Sequence, residues 1–502
     1  LLMALCAPLW LPGSYDFGMA LLAGCTFVPW DNAAILPLSS TMMPAHAISP
    51  RFTDYRRHVD ELVSATIAAA DPEAAVGRYL RREGRTLWVG RGAEAEAIDL
   101  DRGRVYLIAA GKAAIPMTAG ALAVLGNDVA GGAVVTGAVI AKAGGPEWPV
   151  GADRWPLMLH RGGHPLPDAG GMAATKAVVE LLADTRPEDS VLCLISGGAS
   201  ALLTQPLLSL EDWRKLVEVF LKSGCTIREL NAVRRAIDRI KAGGLARACA
   251  PAACFGLILS DVIGNPLPVI GGGPTVPDDD LVVGAVAVLG RYDIARQLEK
   301  AEWQRLALAL NQARYLHKAA RPSVRNVVIG DVRDAATAAL VSAIRLGFVG
   351  QLLTAHLDGE ARDIGRLAAG IARDLPAGQG YILGGETTVT VRGKGQGGRN
   401  QELALAAALA LEGQPRAVVL SFATDGEDGP TAAAGAVVTG ETARLARSYG
   451  IDPVAHLTDN DSHTFFSRLD DVSRGRAEPH LITTGPTATN VNDLVVILAY
   501  PN

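Results

Sequence analysis

The chain is 502 residues long, 49% hydrophobic but only 5% aromatic, with a net charge of −5. That length exceeds what a single core normally holds, so two domains are expected, and the acidic balance excludes a general nucleic-acid binder or an anionic-membrane binder. The abundance of Ala, Gly, Val and Leu suits the α/β class, and six scattered cysteines without a CxxC pair read as thiols in a reduced compartment rather than a zinc site or disulfide framework.

Residues 1–50 stand apart. Leu1 to Trp30 is apolar except for Asp16 and is broken by Pro8, Pro12 and Pro29. No Lys or Arg precedes Arg51, so the basic start of a signal peptide is missing, and neither apolar run is long enough for a bilayer helix. An extended reading frame, with Met42 or Met43 near the true start, is expected ahead of a targeting segment. From Arg51 to Glu83 the apolar positions recur at helical spacing. VYLIAAG (105–111) reads as a buried strand ending in Gly, with a helix from Lys112 through Leu125; AVVTGAV (133–139) is another short apolar run. VLCLIS (191–196) is a strand running into Gly197-Gly198, and FGLILSDV (255–262) is a strand ending near Asp261. After a polar, helical linker at about 280–325 come a strand at 324–331 and a helix at 334–347. An extended stretch at 381–391, a Gly-rich loop at 393–402, a helix at 403–412, a strand running into an acidic loop at 417–429 and a last strand at 494–498 complete the chain. This alternation predicts two α/β domains with mainly parallel sheets, divided as 51–320 and 321–502, with active-site loops at the strands' carboxyl ends in the interdomain cleft.

Several motifs point to anion chemistry, each beside a plainer alternative. Gly111-Lys112 places a mobile cation where a strand meets a helix, though a solvated turn lysine would look the same. Ser196-Gly197-Gly198-Ala199-Ser200 is a turn that lets backbone approach a phosphate, or a tight turn with capping serines. No GxxxxGK[ST] occurs, which excludes a P-loop kinase. Asn231, Arg234, Asp238 and Lys241 fall at helical spacing, as a substrate-facing or a solvated stripe. Gly395, Gly397 and Gly398 precede Arg399 and Asn400 at a helix start, an arrangement suited to triphosphate recognition by a flexible loop. Asp261, Asp425 and Asp428 follow buried strands, where a carboxylate either holds Mg²⁺ or caps a turn. Together these make the inventory of phosphoryl transfer.

At this point the blocks GKAAIPM (111–117), HPLPDAGG (164–171), LISGGASALL (194–203), LSDVIGNPLPVIGGGPTVPD (259–278), GGETTVTVRGKGQGGRNQE (384–402), ATDGEDGPTAAAGA (423–436), DNDSHTFF (459–466) and TGPTATNVNDLVVIL (484–498) resemble the glycerate 2-kinases with a C-terminal MOFRL domain. The resemblance implies a cytoplasmic enzyme that phosphorylates D-glycerate at its 2-hydroxyl with ATP and Mg²⁺, free of nucleic acid and membrane, with homo-oligomerisation left open. It points to Lys112 and Arg399 as the catalytic cations. Gly111, Ser196, Gly197, Gly198, Ser200, Gly397, Gly398 and Asn400 are then the nucleotide and phosphate contacts, Asn231, Arg234 and Lys241 the substrate contacts, and Asp261, Asp425 and Asp428 the metal ligands. Ala199 and Ala488 depart from glycines common in the family, and Ser473 to Pro479 reads as an insertion. Family members are also labelled hydroxypyruvate reductases, the alternative reading, but no GxGxxG follows a strand here.

Overall fold

Apolar runs that are buried at almost every position become the central strands of the two large sheets. The computed structural model describes residues 49–126, 135–148, 151–278, 280–316 and 323–501, so the N-terminal extension lies outside them apart from its last two positions. Helices Tyr55–Ala69 and Pro72–Tyr79 lead into a small antiparallel sheet of β1 (Leu80–Glu83), β2 (Thr86–Val89) and β3 (Glu96–Asp99). The first large sheet follows: β4 (Val105–Gly111), β5 (Val135–Lys142), β6 (Leu157–Gly162), β7 (Ser190–Ile195), β8 (Ala253–Leu259) and β9 (Val324–Gly330). Its order is β6-β5-β4-β7-β8-β9, and every neighbouring pair is parallel. The chain builds outward from β4 in one direction, then returns to build outward from β7 in the other. The crevice between β4 and β7 is therefore a topological switch point, where open α/β sheets place their ligands. Helices Leu210–Ser223, Ile227–Ala236, Leu281–Arg291 and Lys300–Leu316 form a separate apolar cluster around Trp213, Phe220 and Leu306.

The second large sheet contains β10 (Val349–Glu360), β11 (Gln379–Thr388), β12 (Ala417–Ala423), β13 (Gly435–Thr439), β14 (Leu481–Ile482) and β15 (Asp493–Ala499), in the order β10-β11-β15-β12-β13-β14. Only β10 and β11 pair in parallel; the other pairs are antiparallel. The α/β architecture expected from the sequence is present, but the mainly parallel description fits the first sheet and not the second. The cause is local: β12 and β13 are joined by the acidic loop alone, too short for the crossover that parallel pairing needs.

The two sheets do not divide the chain at residue 320. β9 hydrogen-bonds to β8, so the first sheet closes only at Gly330. Helix Tyr55–Ala69 reaches the other half: Arg56 donates to the Pro479 carbonyl (2.7 Å), and His58 Nδ1 lies 3.0 Å from the Tyr500 hydroxyl. One apolar cluster accordingly runs from Val59 and Leu62 through Leu107 and Leu194 to Leu420 and Val496. Among the described residues, no helix is long and apolar enough to cross a membrane.

Candidate active site

The switch-point crevice is built from two loops that touch. Gly111 has φ +132°, and a Cβ there would lie 2.2 Å from Ser196 Oγ. That close approach lets Lys112 N donate to Gly197 O (2.8 Å) and Ala113 N donate to Ser196 Oγ (3.0 Å). Gly111 and Ser196 thus join the two loops, with Ser196 buried. Gly197 is glycine because a Cβ would meet Asp261 Oδ2 at 1.9 Å, and Gly198 has φ +84° with the Lys112 stem and His164 ring against it. Lys112, Gly197, Gly198, Asp261 and His164 therefore converge.

The second sheet supplies the other wall. Asp425, beyond the end of β12, lies 3.8 Å from Lys112 Nζ. Arg399 is held from two sides. Nε and Nη2 donate to the two oxygens of the buried Asp493, and Nη1 lies 3.0 Å from Glu386. Burial works against the Arg399 charge, but Asp493 and Glu386 outweigh it and hold the guanidinium above its ordinary range. Burial pushes the Asp493 carboxyl up while the Arg399 fork pulls it back; the bidentate geometry supports the ionised pair. Burial, opposed by Lys112 and reinforced by Glu386 and Asp425, pushes Asp261 up to about 6. Burial, with Lys112 and Lys142, pushes His164 down to about 4, so its imidazole is neutral at physiological pH. Glu386, Thr388, Val391, Gly397 and Arg399 line a cleft of about 540 Å³.

Several residues proposed from the sequence have other work. The Gly-rich loop is pinned rather than flexible. Arg392 N and Gly393 N donate to Asn460 Oδ1, Lys394 N to Asp459 Oδ1, and Gln396 N to Asp461 Oδ1. Its glycines are required by contact: a Cβ at Gly397 would meet Ser462 Oγ at 2.2 Å, and one at Gly398 would meet Asp428 Cγ at 2.3 Å. The amino end of helix Arg399–Ala410 already has its anion. Asp428 accepts from Asn400 N (3.0 Å), Gln401 N (2.8 Å) and Gln401 Nε2 (3.0 Å), so both its oxygens are engaged. Asn400 is buried, with its Oδ1 accepting from Ser421 Oγ at 2.6 Å.

The stripe of Asn231, Arg234, Asp238 and Lys241 is not one helical face, because its helix ends at Ala236. Lys241 is buried, donates to the carbonyls of Ser200 (2.8 Å) and Leu203 (3.0 Å), and is pushed down to about 8 by burial. It fastens the turn after β7 from behind. Arg234 stacks over Trp213 at 5.5 Å and contacts Asn231, and its Nε is a buried donor with no hydrogen-bond partner among the described residues. Glu386, Asp493 and His164 belong to the cluster although sequence reasoning gave them no role. The one local signal was an acid opening a fully apolar strand (Asp493) or following paired glycines (Glu386).

Two family models match the chain: a domain of unknown function (DUF4147) over residues 58–307 and the MOFRL family over residues 379–493. The D-glycerate 2-kinase of Thermotoga maritima is 38% identical over 87% of this chain and 96% of its own length. The chain belongs to the glycerate 2-kinase family. A crystal structure of a glycerate kinase from Thermotoga maritima superimposes with a TM-score of 0.74, at 35% identity, covering 89% of this chain and 100% of that one. A relative from Agrobacterium vitis, provisionally named a hydroxypyruvate reductase, is 34% identical over 88% of this chain and 94% of its own. In glycerate 2-kinase terms, the first family model covers the switch-point crevice and the second covers Glu386, Arg399, Asp425 and Asp493.

Proposed function

We propose that this protein is a glycerate 2-kinase that transfers the terminal phosphoryl group of ATP to the 2-hydroxyl of D-glycerate. The observation that carries the reading is the meeting of Lys112 and Asp425, 3.8 Å apart, from loops at the carboxyl ends of β4 and β12. Two sheets bring a free-ended lysine, a braced arginine and three carboxylates to one place. Phosphoryl transfer demands little covalent help from protein but much positioning and charge stabilisation. Lys112 supplies a point charge, and Arg399, its other nitrogens braced by Asp493, supplies a planar donor to the phosphoryl oxygens. The exposed Val391, beside Arg399 in the cleft, suits the nucleotide base.

Asp261, Asp425 and Glu386 are the carboxylates that would hold a magnesium ion here, partly through its waters. They are hard oxygen donors of like charge, and Glu386 and Asp425 add to the burial that raises the Asp261 carboxyl, an addition a cation would relieve. Bound there, Mg²⁺ supplies charge neutralisation of the phosphate oxygens. Asp428 caps a helix instead. Arg234 keeps the part of a glycerate-carboxylate partner through its guanidinium, whose Nε has no hydrogen-bond partner among the described residues. Cytoplasmic residence fits the reduced thiols of Cys193, Cys225, Cys249 and Cys254.

The first sheet has the strand order of dinucleotide-binding folds, so fold alone would suit a reductase equally. The turn after β4 decides against it: it reads Gly-Lys-Ala-Ala and sets a lysine where a glycine fingerprint would need bare backbone. Incubation with ATP, Mg²⁺ and D-glycerate, followed by ³¹P NMR, should give ADP and 2-phosphoglycerate. Hydroxypyruvate-dependent loss of NADH without ATP turnover would overturn the assignment.

A further inference from the structure

Three cysteines that lie far apart in the sequence meet inside the first domain, away from the cleft. Cys193 is in β7, Cys254 is near the amino end of β8, and Cys249 closes the short helix Gly244–Cys249. β7 and β8 pair in register, with Val191 opposite Cys254 and Cys193 opposite Gly256. Because side chains alternate along a strand, both thiols project from the same face of the sheet, diagonal to one another. Their sulfurs are 3.7 Å apart, and the three sulfurs all lie within 4.8 Å of one another. All three residues are buried in an apolar cluster with Ile108, Leu245 and Ala252. The active-site loops leave the opposite, carboxyl ends of the same two strands.

Buried cysteines commonly behave as small hydrophobes. Three sulfurs at mutual contact offer more. A metal–sulfur bond of about 2.3 Å in a planar three-sulfur site requires sulfurs about 4.0 Å apart, close to the 3.7 Å between Cys193 and Cys254 and inside the 4.8 Å that bounds all three. Thiolates select soft ions, and the side chains packed around these three are apolar. The occupant that suits them is a divalent soft ion held by three thiolates. Three S–H bonds break, three metal–sulfur bonds form and three protons leave to solvent. No electron is transferred. Ala250 and Pro251, directly after Cys249, are exposed and give the ion a short route in.

We propose that Cys193, Cys249 and Cys254 form a binding site for one soft divalent cation of the zinc–cadmium class, independent of the kinase site. The test uses the full chain with Cys6, Cys25 and Cys225 replaced by Ala, so that these three thiols remain. Reduced protein is titrated with CdCl₂, and uptake is followed by equilibrium dialysis, sulfur-to-cadmium charge-transfer absorption and proton release. The expected result is one ion per chain with about three protons released, with ZnCl₂ competing for the same site. Absorption should be lost in Cys193→Ala and Cys254→Ala. Should either fail to fold by circular dichroism, Cys193→Val, which keeps the volume, and Cys249→Ser, at a helix end, take their place. No stoichiometric uptake, or uptake that persists in the folded variants, would show that the cluster is only packing.

Discussion

Replacing Asp493 with Asn separates the bracing of Arg399 from its charge. The buried carboxylate accepts two hydrogen bonds from the guanidinium, at Nε and at Nη2. Asn keeps one acceptor oxygen and turns an amide N–H toward the other donor. One charge-assisted hydrogen bond is lost, which should lower stability by about 2 kcal/mol. The cation survives and keeps Glu386 at 3.0 Å, but that partner is partly exposed and lies on one side only. Arg399 then samples orientations away from the phosphoryl group. Removing a transition-state donor outright costs about 10²–10³-fold in kcat, so a donor that is present but loosened should cost about 10–100-fold. KM for glycerate should move less than kcat, because the lost interaction is made in the transition state. ADP release at varied ATP and glycerate gives both constants, and urea denaturation gives the stability change. A variant that has lost the expected stability yet keeps kcat within twofold of the parent would refute the reasoning. Asp493 would then be structural, and Arg399 would not act on the phosphoryl group.

Lys112→Ala and Arg399→Ala should each lower kcat by about two to four orders of magnitude, and Arg399→Lys should recover little because a point charge cannot be braced as a fork; steady-state kinetics on folded protein checks both. Asp261→Asn and Asp425→Asn should raise the Mg²⁺ concentration needed for half-maximal activity. Asp428→Asn should instead lower stability by about 1 kcal/mol with Mg²⁺ dependence unchanged, since its oxygens cap a helix. For His164, the folded value of about 4 lies below the unfolded 6.5, so between these values the unfolded chain binds more protons. Stability should therefore fall as pH drops from about 6.5 toward 4, and His164→Gln should narrow the gap between melting temperatures measured at pH 7 and pH 5.

The central strands β4, β7 and β8 were legible because each is a short apolar run closed by Gly, Ser or Asp, and VYLIAAG matches β4 at both ends, whereas β6, β10 and β13 were not read as strands. What the sequence could not express was pairing direction. LVVIL reads alike whether it joins a sheet in parallel or antiparallel, so the mixed second sheet appeared only in three dimensions. The Gly-rich loop misled for a related reason. Its glycines looked like freedom, but the atoms that demand them belong to Asp459, Asp461 and Ser462, in a separate block of the chain. Lys112 was visible because strand end, glycine and charge are consecutive. Asp493 and the thiol cluster depend on neighbours from other strands, and no local pattern marks those. The helical stripe from Asn231 to Lys241 failed because spacing was extended past the end of the helix.

The position of β15 has a consequence for how the molecule is made. The last strand of the chain lies between β11 and β12, hydrogen-bonded to both. Until residues 493–499 have left the ribosome, those two strands have an empty lane between them and the second half has no continuous sheet. The first domain's sheet needs nothing beyond Gly330 and can form during synthesis. A chain stopped before residue 493 would thus lose the centre of a sheet rather than a frayed end, and with it Asp493. Arg399 is therefore braced only once β15 has taken its lane between β11 and β12.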